Sequence, residues 1–368
     1  MHILHVYKDY YPVVGGIENH IKALAEAQVR RGHRVTVLVT NPGRDTIEEE
    51  RNGVRVIKVG RVATVASTPL SPAFARMLRS LQPDITHLQA PYPVGEVAQW
   101  LMPRERRYVI SYQADVARPI QRLIMLAYGP LFLRILRGAA CVLATSPNYA
   151  NSSPYLRAVA ERVHIVPLGV AAERFTPRSG LRPPGPVKIL FVGQLRHYKG
   201  VDDLLRAVSQ LHGDVQLLIA GDGPMRVEWE ALRRDLNLAE RATFLGRVPD
   251  GDLPTLYQAA DIFVLPANSR AESFGTVLLE AMASGLPCVT TEISSGNSYV
   301  VQNGATGLVV PPRSPGALAE ALGRLVEDSE MRTRLGAAGR ERVLKHFTDE
   351  AMIQRVEAVY QAILKIAH

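Results

Sequence analysis

Two glutamates separated by seven residues are the first candidates for binding chemistry. Glu272 and Glu280 flank a largely apolar stretch in which Phe274, Gly275 and Thr276 lead into a predicted helix. Free amides at the start of a helix attract phosphate, and a nearby carboxylate can accept hydrogen bonds from a ribose. Acids in apolar surroundings are enriched at functional sites, so the segment predicts a nucleotide or phosphorylated-sugar site. The alternative is that both glutamates are solvated helix charges.

Two turns that contain glycine offer further anion-binding groups. Gly15 and Gly16 separate the first predicted strand from the first predicted helix, where paired glycines let the backbone approach a ligand. In the second half, Arg196 and Lys199 lie in the turn 193–200 and can neutralise a diphosphate. The first turn lacks the Gly-x-Gly-x-x-Gly spacing of a nicotinamide or flavin site, and the second does not match the Walker pattern. The alternatives are an ordinary turn and a basic surface loop.

Strands and helices alternate in both halves of the chain and are expected to position these residues. Hydrophobic periodicity predicts strands at 3–7, 33–40, 54–59, 85–89, 107–112, 141–145, 163–166, 187–192, 215–220, 242–244, 262–265 and 288–290. It predicts helices near 17–31, 73–81, 94–101, 117–137, 148–160, 200–211, 224–236, 252–260, 275–284, 315–327 and in the stretch 328–366. Such alternation indicates parallel sheets covered by helices on both faces.

The change of character in mid-chain predicts two domains. We predict an N-terminal domain over 1–170, a linker rich in proline and glycine over 171–186, and a C-terminal domain over 187–345. A helix over 346–368 is expected to pack back on the N-terminal domain. The predicted fold class is therefore α/β, with two Rossmann-like, doubly wound parallel-sheet domains that face a shared cleft.

Composition and charge narrow the class of protein. At 368 residues, 47% hydrophobic and 21% charged, the chain is typical of a soluble globular protein, and no apolar run approaches the ~20 residues of a membrane-spanning helix. Two cysteines and a start unlike a signal peptide predict a cytoplasmic protein. Residues 1–180 hold 23 Lys and Arg against 13 Asp and Glu, whereas residues 181–368 hold 20 against 22. The excess of positive charge in residues 1–180 predicts an anionic partner. The alternative is that the chain is simply rich in arginine.

The segment from Glu272 to Glu280 resembles the Glu-x7-Glu motif of retaining glycosyltransferases of the GT-B fold, specifically the bacterial family 4. The glycine pair at 15–16 is similar to the family's N-terminal pair, and 197–200 is similar to its phosphate loop. Further similar segments are 166–170, 295–300 and 304–312. The segments 196–200 and 295–300 most resemble enzymes that build O-antigen and exopolysaccharide.

This resemblance implies transfer of a hexosyl residue, mannose or rhamnose, from a nucleoside-diphosphate sugar, a GDP-sugar, to a lipid-linked saccharide in surface polysaccharide biosynthesis. It implies retention at the anomeric carbon, an acceptor-binding N-terminal domain, a donor-binding C-terminal domain and no metal or other cofactor. The residues implied to be catalytic are Glu272, Lys199, Arg196 and Gln113. Those implied to bind substrate are Gly15, Gly16, Gln194, Asp115, Phe274, Gly275, Thr276 and Glu280.

Two positions depart from the family pattern. Gln113, two residues before Asp115, stands where members commonly have histidine, and Gln194 stands where they commonly have arginine. A glutamine can bind a sugar hydroxyl but supplies no charge, so Arg196 and Lys199 are left to neutralise the leaving diphosphate. These departures favour the alternative of a non-catalytic nucleotide-sugar-binding subunit. Another GT-B activity, such as an epimerase or a phosphorylase, is the remaining alternative.

The predicted helix over 117–137 combines apolar residues with Arg118, Arg122, Arg134 and Arg137. Arginines on lipid headgroups with leucine and isoleucine beneath predict peripheral contact with an anionic membrane, at the inner face of the cytoplasmic membrane. The alternative is a core helix whose arginine stems lie along its surface. Nucleic acid is not an expected partner, because the chain lacks a recognition motif and aromatic-basic interleaving.

Overall fold

Strands and helices alternate along the chain in the computed structural model, which describes residues 1–13, 15–65, 67–103, 105–114, 119–180, 182 and 184–365, with the backbone alone for 119–123. The strands are β1 (His2–Val6), β2 (Arg34–Asn41), β3 (Ile47–Arg51), β4 (Val54–Gly60), β5 (Ala63–Val65), β6 (Thr68–Leu70), β7 (Ile85–Ala90), β8 (Tyr108–Tyr112), β9 (Cys141–Ala144), β10 (Val163–Ile165), β11 (Val187–Val192), β12 (Val215–Ala220), β13 (Ala242–Gly246), β14 (Ile262–Leu265), β15 (Cys288–Thr291) and β16 (Gly307–Val310). The helices are α1 (Gly16–Arg30), α2 (Pro72–Ser80), α3 (Pro93–Trp100), α4 (Pro119–Gly138), α5 (Pro147–Ser152), α6 (Pro154–Arg157), α7 (Val201–Val208), α8 (Arg226–Asp235), α9 (Leu253–Ala259), α10 (Thr276–Ala283), α11 (Asn297–Val300), α12 (Pro315–Glu327), α13 (Ser329–His346) and α14 (Asp349–Lys365). Short 3₁₀ helices lie at Ala160–Arg162 and His197–Lys199.

The chain forms two units. The first consists of Met1–Pro167 and Asp349–His368, and the second consists of Leu168–Thr348. Helix α14 belongs to the first unit, where the hydroxyl of Tyr360 lies 2.6 Å from Nδ1 of the buried His87 on β7. Each of the two units is therefore described separately, starting from its sheet.

The segment predicted to be a linker, 171–186, is part of the second unit instead. Phe175 is buried and packs edge-on against Tyr257, with 5.6 Å between the ring centroids. Arg182 donates from Nε to Oδ1 of Asp261 at 2.8 Å. Proline and glycine interrupt periodic structure here, but they do not prevent these long-range contacts with the rest of the second unit.

The first unit is built on an eight-stranded sheet in the order β10-β9-β8-β7-β1-β2-β4-β3. All neighbouring strands are parallel except β3 and β4, which are antiparallel. Strands β1, β7, β8 and β9 are buried along their whole length, as expected in a parallel sheet covered on both faces, although β1 and β7 include the polar residues His5 and His87. The carboxyl ends of β1 and β7 are adjacent and lie at the edge where doubly wound sheets bind ligands.

The second unit is built on a six-stranded parallel sheet in the order β13-β12-β11-β14-β15-β16. The strand order reverses between β11 and β14, and ligands in such sheets bind beyond the carboxyl ends at this reversal. The loop after β11 carries the turn 193–200, and the loop after β14 carries 272–276. The predicted fold class, two doubly wound α/β domains with parallel sheets, is confirmed.

Four strands are absent from the predicted set, namely β3, β5, β6 and β16. Strand β3 has the sequence Ile-Glu-Glu-Glu-Arg and is mostly exposed, and β5 is wholly exposed. Neither has the alternation of apolar and polar residues that marks a half-buried strand. Strand β16 has only four residues and follows a glycine-containing turn. Short or solvated edge strands therefore leave little trace in the sequence.

Arginine side chains bind the carboxyl ends of several helices. The contacts run from Arg106 to α2, from Arg162 to the residue after α4, from Arg332 to α12 and from Arg342 to α11. The last carbonyl groups of a helix lack partners within the helix and carry partial negative charge. Guanidinium groups, which have several donors, form hydrogen bonds to these carbonyl groups. Some of the chain's arginines therefore stabilise helix ends. In the part of the chain that is described, no helix is long and apolar enough to cross a membrane.

Candidate active site

Lys199 and Glu272 form an ion pair between the loops that follow β11 and β14. Lys199 Nζ lies 2.5 Å from Glu272 Oε2, and the two side chains are 10% and 12% exposed. Burial by itself lowers the pKa of Lys199, but Glu272 and the neighbouring Tyr198 outweigh burial, so the pKa is raised. The ammonium group therefore stays charged at the point where the strand order reverses.

Gly200 brings the loop that carries Lys199 against the backbone beyond β14. Its φ is 68°, and a Cβ at this position would lie 2.1 Å from the carbonyl oxygen of Pro266. The backbone amide of Asn268 also donates to the carbonyl of Tyr198 at 2.8 Å. Only glycine allows both the left-handed conformation and this close approach.

Replacing Gly200 by alanine is expected to destabilise the protein more than the same change at Gly304. Their φ values are 68° and 75°, so both variants incur the cost of a left-handed alanine, about 1–2 kcal/mol. Only at Gly200 does the new Cβ meet backbone, since nothing lies within 4 Å of the Cβ position of Gly304. Thermal unfolding of the two variants measures the difference. Equal losses of Tm would show that the approach to Pro266 does not constrain this loop.

Arg196 and Gln194 lie together on the same loop and are both exposed. Arg196 donates from Nε to Oε1 of Gln194 at 2.8 Å. The glutamine that replaces the family's usual arginine thus holds a neighbouring guanidinium group rather than supplying charge itself. Within the described residues, no group of three or more His, Cys, Asp or Glu side chains is placed to hold a metal ion.

The start of α10 offers backbone amides to a ligand. Gly275 is the N-cap with a φ of 75°, and no side chain caps this eight-residue helix. Among the described residues, the amides of Phe274, Gly275 and Thr276 have no hydrogen-bond acceptor. Glu272 lies in the loop before the helix, whereas Glu280 lies on it, so the two glutamates do not share one helix face. The unbonded amides and Glu272 therefore lie close together along the chain, in the segment where the sequence predicts an anion site.

Glu280 is held by a residue that sequence analysis did not select. The hydroxyl of Tyr257 on α9 donates to Glu280 Oε2 at 2.7 Å, and Tyr257 is fully buried against Phe175 and Phe263. Burial raises the pKa of Glu280 to about 7, and Asp250 adds to this, although the bond from Tyr257 opposes it. Glu280 is therefore partly protonated near neutral pH. The two residues are 23 positions apart, and no local pattern in the sequence connects them.

The predicted glycine pair of the first unit lies beside a buried acid. Gly15 is the N-cap of α1, and a Cβ there would lie 2.2 Å from Oε2 of Glu18, whereas Gly16 faces open space. Glu18 is buried, and burial raises its pKa although a backbone amide and Lys8 oppose the effect. The position at which the sequence predicts a phosphate is therefore lined by the protein's own carboxyl group, which repels a phosphate whenever it is ionised.

Gln113 is buried directly after β8. Its Nε2 donates to Oε1 of Gln89 on β7 at 2.8 Å, and its backbone amide donates to the carbonyl of Ala90. The structure thus pairs Gln113 with a second glutamine at the carboxyl edge of the first sheet. Asp115, the other candidate in this loop, lies outside the described residues.

Two of the four arginines predicted to meet a membrane can be located. Arg134 and Arg137 are exposed on α4, whereas Arg118 and the side chain of Arg122 lie outside the described residues. Leu126 is 76% exposed on the same helix. At about 100° per residue, Leu126, Arg134 and Arg137 project from one side of the helix. This side therefore presents an apolar side chain together with two cations.

Both units match known families. Residues 14–174 match the model described as Glycosyltransferase Family 4, and residues 173–342 match the model described as Glycosyl transferases group 1. O-antigen chain mannosyltransferase C from Escherichia coli is 32% identical over 375 residues, which cover 99% of this chain and 99% of that protein. D-rhamnosyltransferase WbpZ from Pseudomonas aeruginosa is 32% identical over 360 residues, which cover 95% of this chain and 92% of that protein.

A solved structure is similar over the same length. Sucrose-phosphate synthase from Thermosynechococcus elongatus matches with a TM-score of 0.82 and 25% sequence identity, and the match covers 99% of each chain. The similarity in sequence and in structure therefore extends over both units.

Proposed function

Because this chain belongs to glycosyltransferase family 4, we propose that it transfers a mannosyl or rhamnosyl residue from a GDP-sugar to a lipid-linked saccharide, with retention, in O-antigen or related surface polysaccharide synthesis. The chain is a glycosyltransferase of the GT-B fold, as its resemblance to that family implies. The names of two relatives, a mannosyltransferase of the O-antigen chain and a D-rhamnosyltransferase, support the choice of sugar.

The observation that carries the proposal is the Lys199–Glu272 pair beside the free amides at the start of α10. A donor diphosphate placed there would accept hydrogen bonds from the amides of Phe274 and Gly275 and would share the ammonium of Lys199. Glu272 would then be released to accept a hydrogen bond from a hexose hydroxyl. Arg196 adds a second cation to the same loop. We include no metal, because these side chains supply the positive charge.

In the proposed step, the bond between the anomeric carbon and the diphosphate oxygen breaks, and a bond to the acceptor oxygen forms on the same face. The acceptor hydroxyl gives its proton to the departing diphosphate, whose oxygen gains negative charge as the bond breaks. Lys199 and the amides are expected to stabilise that charge. Glu280, when ionised, is expected to accept hydrogen bonds from the ribose of the donor.

A donor screen tests the proposal. Purified protein is incubated with labelled GDP-mannose, GDP-rhamnose or UDP-glucose and with lipid-linked saccharides extracted from membranes. We expect labelled glycolipid to form from a GDP-sugar. Tight nucleotide binding without transfer from any donor would support a non-catalytic binding subunit, and isomerisation of the donor without an acceptor would support an epimerase.

We propose further that α4 contacts an anionic membrane. Each basic residue near an anionic surface contributes about 1 kcal/mol, so the loss of Arg134 and Arg137 would lower vesicle binding about 30-fold if the two contributions add, and reversing both to glutamate is expected to lower it at least that much. Liposome flotation with anionic vesicles measures this. The matched control reverses Arg76 and Arg79, which are exposed on α2 and change the net charge equally. Equal losses in both variants, or none in either, would contradict a specific contact through α4.

A further inference from the structure

A polar groove on the first unit lies outside the groups assigned above. It has a volume of about 460 Å³, within the range of ordinary small-molecule sites, about 300–1,000 Å³. We call it the α1 groove, because it lies between α1 and the turn from β3 to β4. Its lining includes Tyr11 from the loop after β1, Lys22 and Glu26 from α1, Glu50 and Arg51 from the end of β3, and Asn52 from the turn.

The walls of the α1 groove are tied to one another. Asn52 donates from Nδ2 to Oε1 of Glu26 at 2.8 Å, and Lys22 donates to Oε2 of the same carboxylate at 3.0 Å. The cationic groups of Lys22 and Arg51 lie 5.8 Å and 5.4 Å from the centroid of the Tyr11 ring. Helix, turn and loop are thus linked before any ligand arrives, which reduces the ordering cost of binding.

The chemistry of the groove suits an uncharged compound with many hydroxyl groups. Lys22 pairs with Glu26, and Arg51 pairs with Glu49 beside the lining, so neither cation is left to select an anionic ligand. Glu50 is exposed, and its carboxylate has no hydrogen-bond or ion-pair partner among the described residues. Hydroxyl groups both donate and accept, so they can satisfy carboxylates and cations together. An apolar ligand would leave these polar groups unpaired.

The groove begins at the ligand-binding edge of the first sheet. Tyr11 lies in the loop that connects β1 to α1, and the same loop ends at Gly15, the N-cap of α1. Tyr11 is 39% exposed and offers both an apolar ring face and a hydroxyl group. We propose that the α1 groove binds sugar units of the acceptor saccharide beyond the unit that reacts. This inference rests on the proposed function, which makes the acceptor a saccharide.

Binding without donor tests the groove independently of catalysis. Mannose and an α-linked mannotetraose are titrated into wild type, Tyr11→Ala and Glu50→Ala and followed by calorimetry. We expect the tetrasaccharide to bind more tightly than mannose, and each variant to weaken it about three- to tenfold. Glu48→Ala is the matched control, because Glu48 lies on β3 and pairs with Arg55 outside the groove. No binding to wild type, or equal affinity in all four proteins, would overturn the inference.

Transfer kinetics separate this inference from the proposed function. With acceptors of increasing length, Glu50→Ala is expected to raise KM for long acceptors and to leave kcat, and KM for a disaccharide, unchanged. Transfer with unchanged KM for every acceptor would reject the groove and keep the transferase. Tetrasaccharide binding that depends on Tyr11 and Glu50, in a protein that transfers no sugar, would reject the proposed reaction and keep the groove as a saccharide site.

Discussion

Replacing Lys199 by methionine is expected to lower the turnover of the purified enzyme by about 10²- to 10³-fold. In the proposed reaction, negative charge grows on the leaving diphosphate, so the ammonium stabilises the transition state more than it stabilises the bound donor. Methionine keeps a similar aliphatic stem and removes the charge. Steady-state transfer at saturating donor measures the effect. Near wild-type turnover in Lys199→Met, together with unaffected turnover in Arg196→Ala, would contradict the diphosphate assignment.

This variant needs a control for stability, because Lys199 and Glu272 neutralise each other where little solvent reaches them. Removing one partner leaves an uncompensated buried charge, so Lys199→Met is expected to unfold at a lower temperature than wild type. The double variant Lys199→Met/Glu272→Gln removes both charges and is expected to regain Tm without regaining turnover. Recovery of turnover together with Tm would mean that Lys199 serves only to neutralise Glu272.

Replacing Glu280 by glutamine is expected to weaken the binding of donor and free nucleotide together, by about 10- to 100-fold. An ionised carboxylate accepts stronger hydrogen bonds from ribose hydroxyls than an amide does. Because burial raises the pKa of Glu280 to about 7, the nucleotide affinity of wild type should increase as the pH rises through 7. Calorimetry at pH 6 and pH 8 measures this. The same pH dependence in Glu280→Gln would contradict the ribose role.

Tyr257→Phe provides a second measurement on the same carboxyl group. The phenylalanine keeps the ring packing of Tyr257 but cannot donate to Glu280. Since that hydrogen bond lowers the pKa of Glu280 against the effect of burial, its loss should move the midpoint of nucleotide binding to higher pH. A lower affinity at all pH values with an unchanged midpoint would indicate a purely structural role for Tyr257.

The pKa of Glu280 also sets the sign of its effect on stability. Its ordinary value is 4.5 and its value in the folded protein is about 7, so the folded state keeps a proton that the unfolded chain loses in this range. The contribution of Glu280 to the free energy of unfolding is therefore largest below pH 4.5 and decreases as the pH rises to about 7. A glutamine at this position does not ionise, so its contribution to stability does not change with pH. The Tm of Glu280→Gln relative to wild type should accordingly be higher at pH 8 than at pH 5.

The central strands of both sheets could be predicted from the sequence, because strands covered on both faces are rich in valine, isoleucine and leucine. Strands β11 and β12 have the predicted bounds, 187–192 and 215–220. The exposed strand β3 could not be predicted, because it contains three consecutive glutamates and lies at the solvated edge of its sheet. The contacts of the segment 171–186 could not be predicted for a similar reason, because Phe175 packs on Tyr257, which is distant in sequence.

In the candidate site, too, some features could be predicted from the sequence and others could not. The spacing of Glu272 and Glu280 and the cations of the turn 193–200 are local features, and they could be recognised from the chain alone. The partners of these residues could not. Glu272 binds Lys199 across two loops, Glu280 binds Tyr257 of another helix, and both contacts depend on how the sheet is folded. The sequence thus selects the candidate groups, and the fold determines which side chains they contact.

The basic character of the first half has at least one structural cause. Arg106 and Arg162 bind carbonyl groups at the carboxyl ends of helices, a task that suits a guanidinium group with several donors. Their charge is therefore committed to the fold rather than to an anionic partner. Arg134 and Arg137 on α4 are exposed. Of the four arginines predicted to contact a membrane, these are the two whose side chains the structure describes, and the membrane proposal rests on them.

The configuration of the product tests the proposed reaction most directly. Purified protein is incubated with GDP-mannose and a lipid-linked saccharide, and proton NMR follows the anomeric signal of the new linkage while GDP release is measured in parallel. A retaining hexosyltransferase should release one GDP for each linkage formed, and the new linkage should have the α configuration of the donor. A β linkage, or loss of GDP-mannose without an acceptor-linked product, would contradict the proposed reaction.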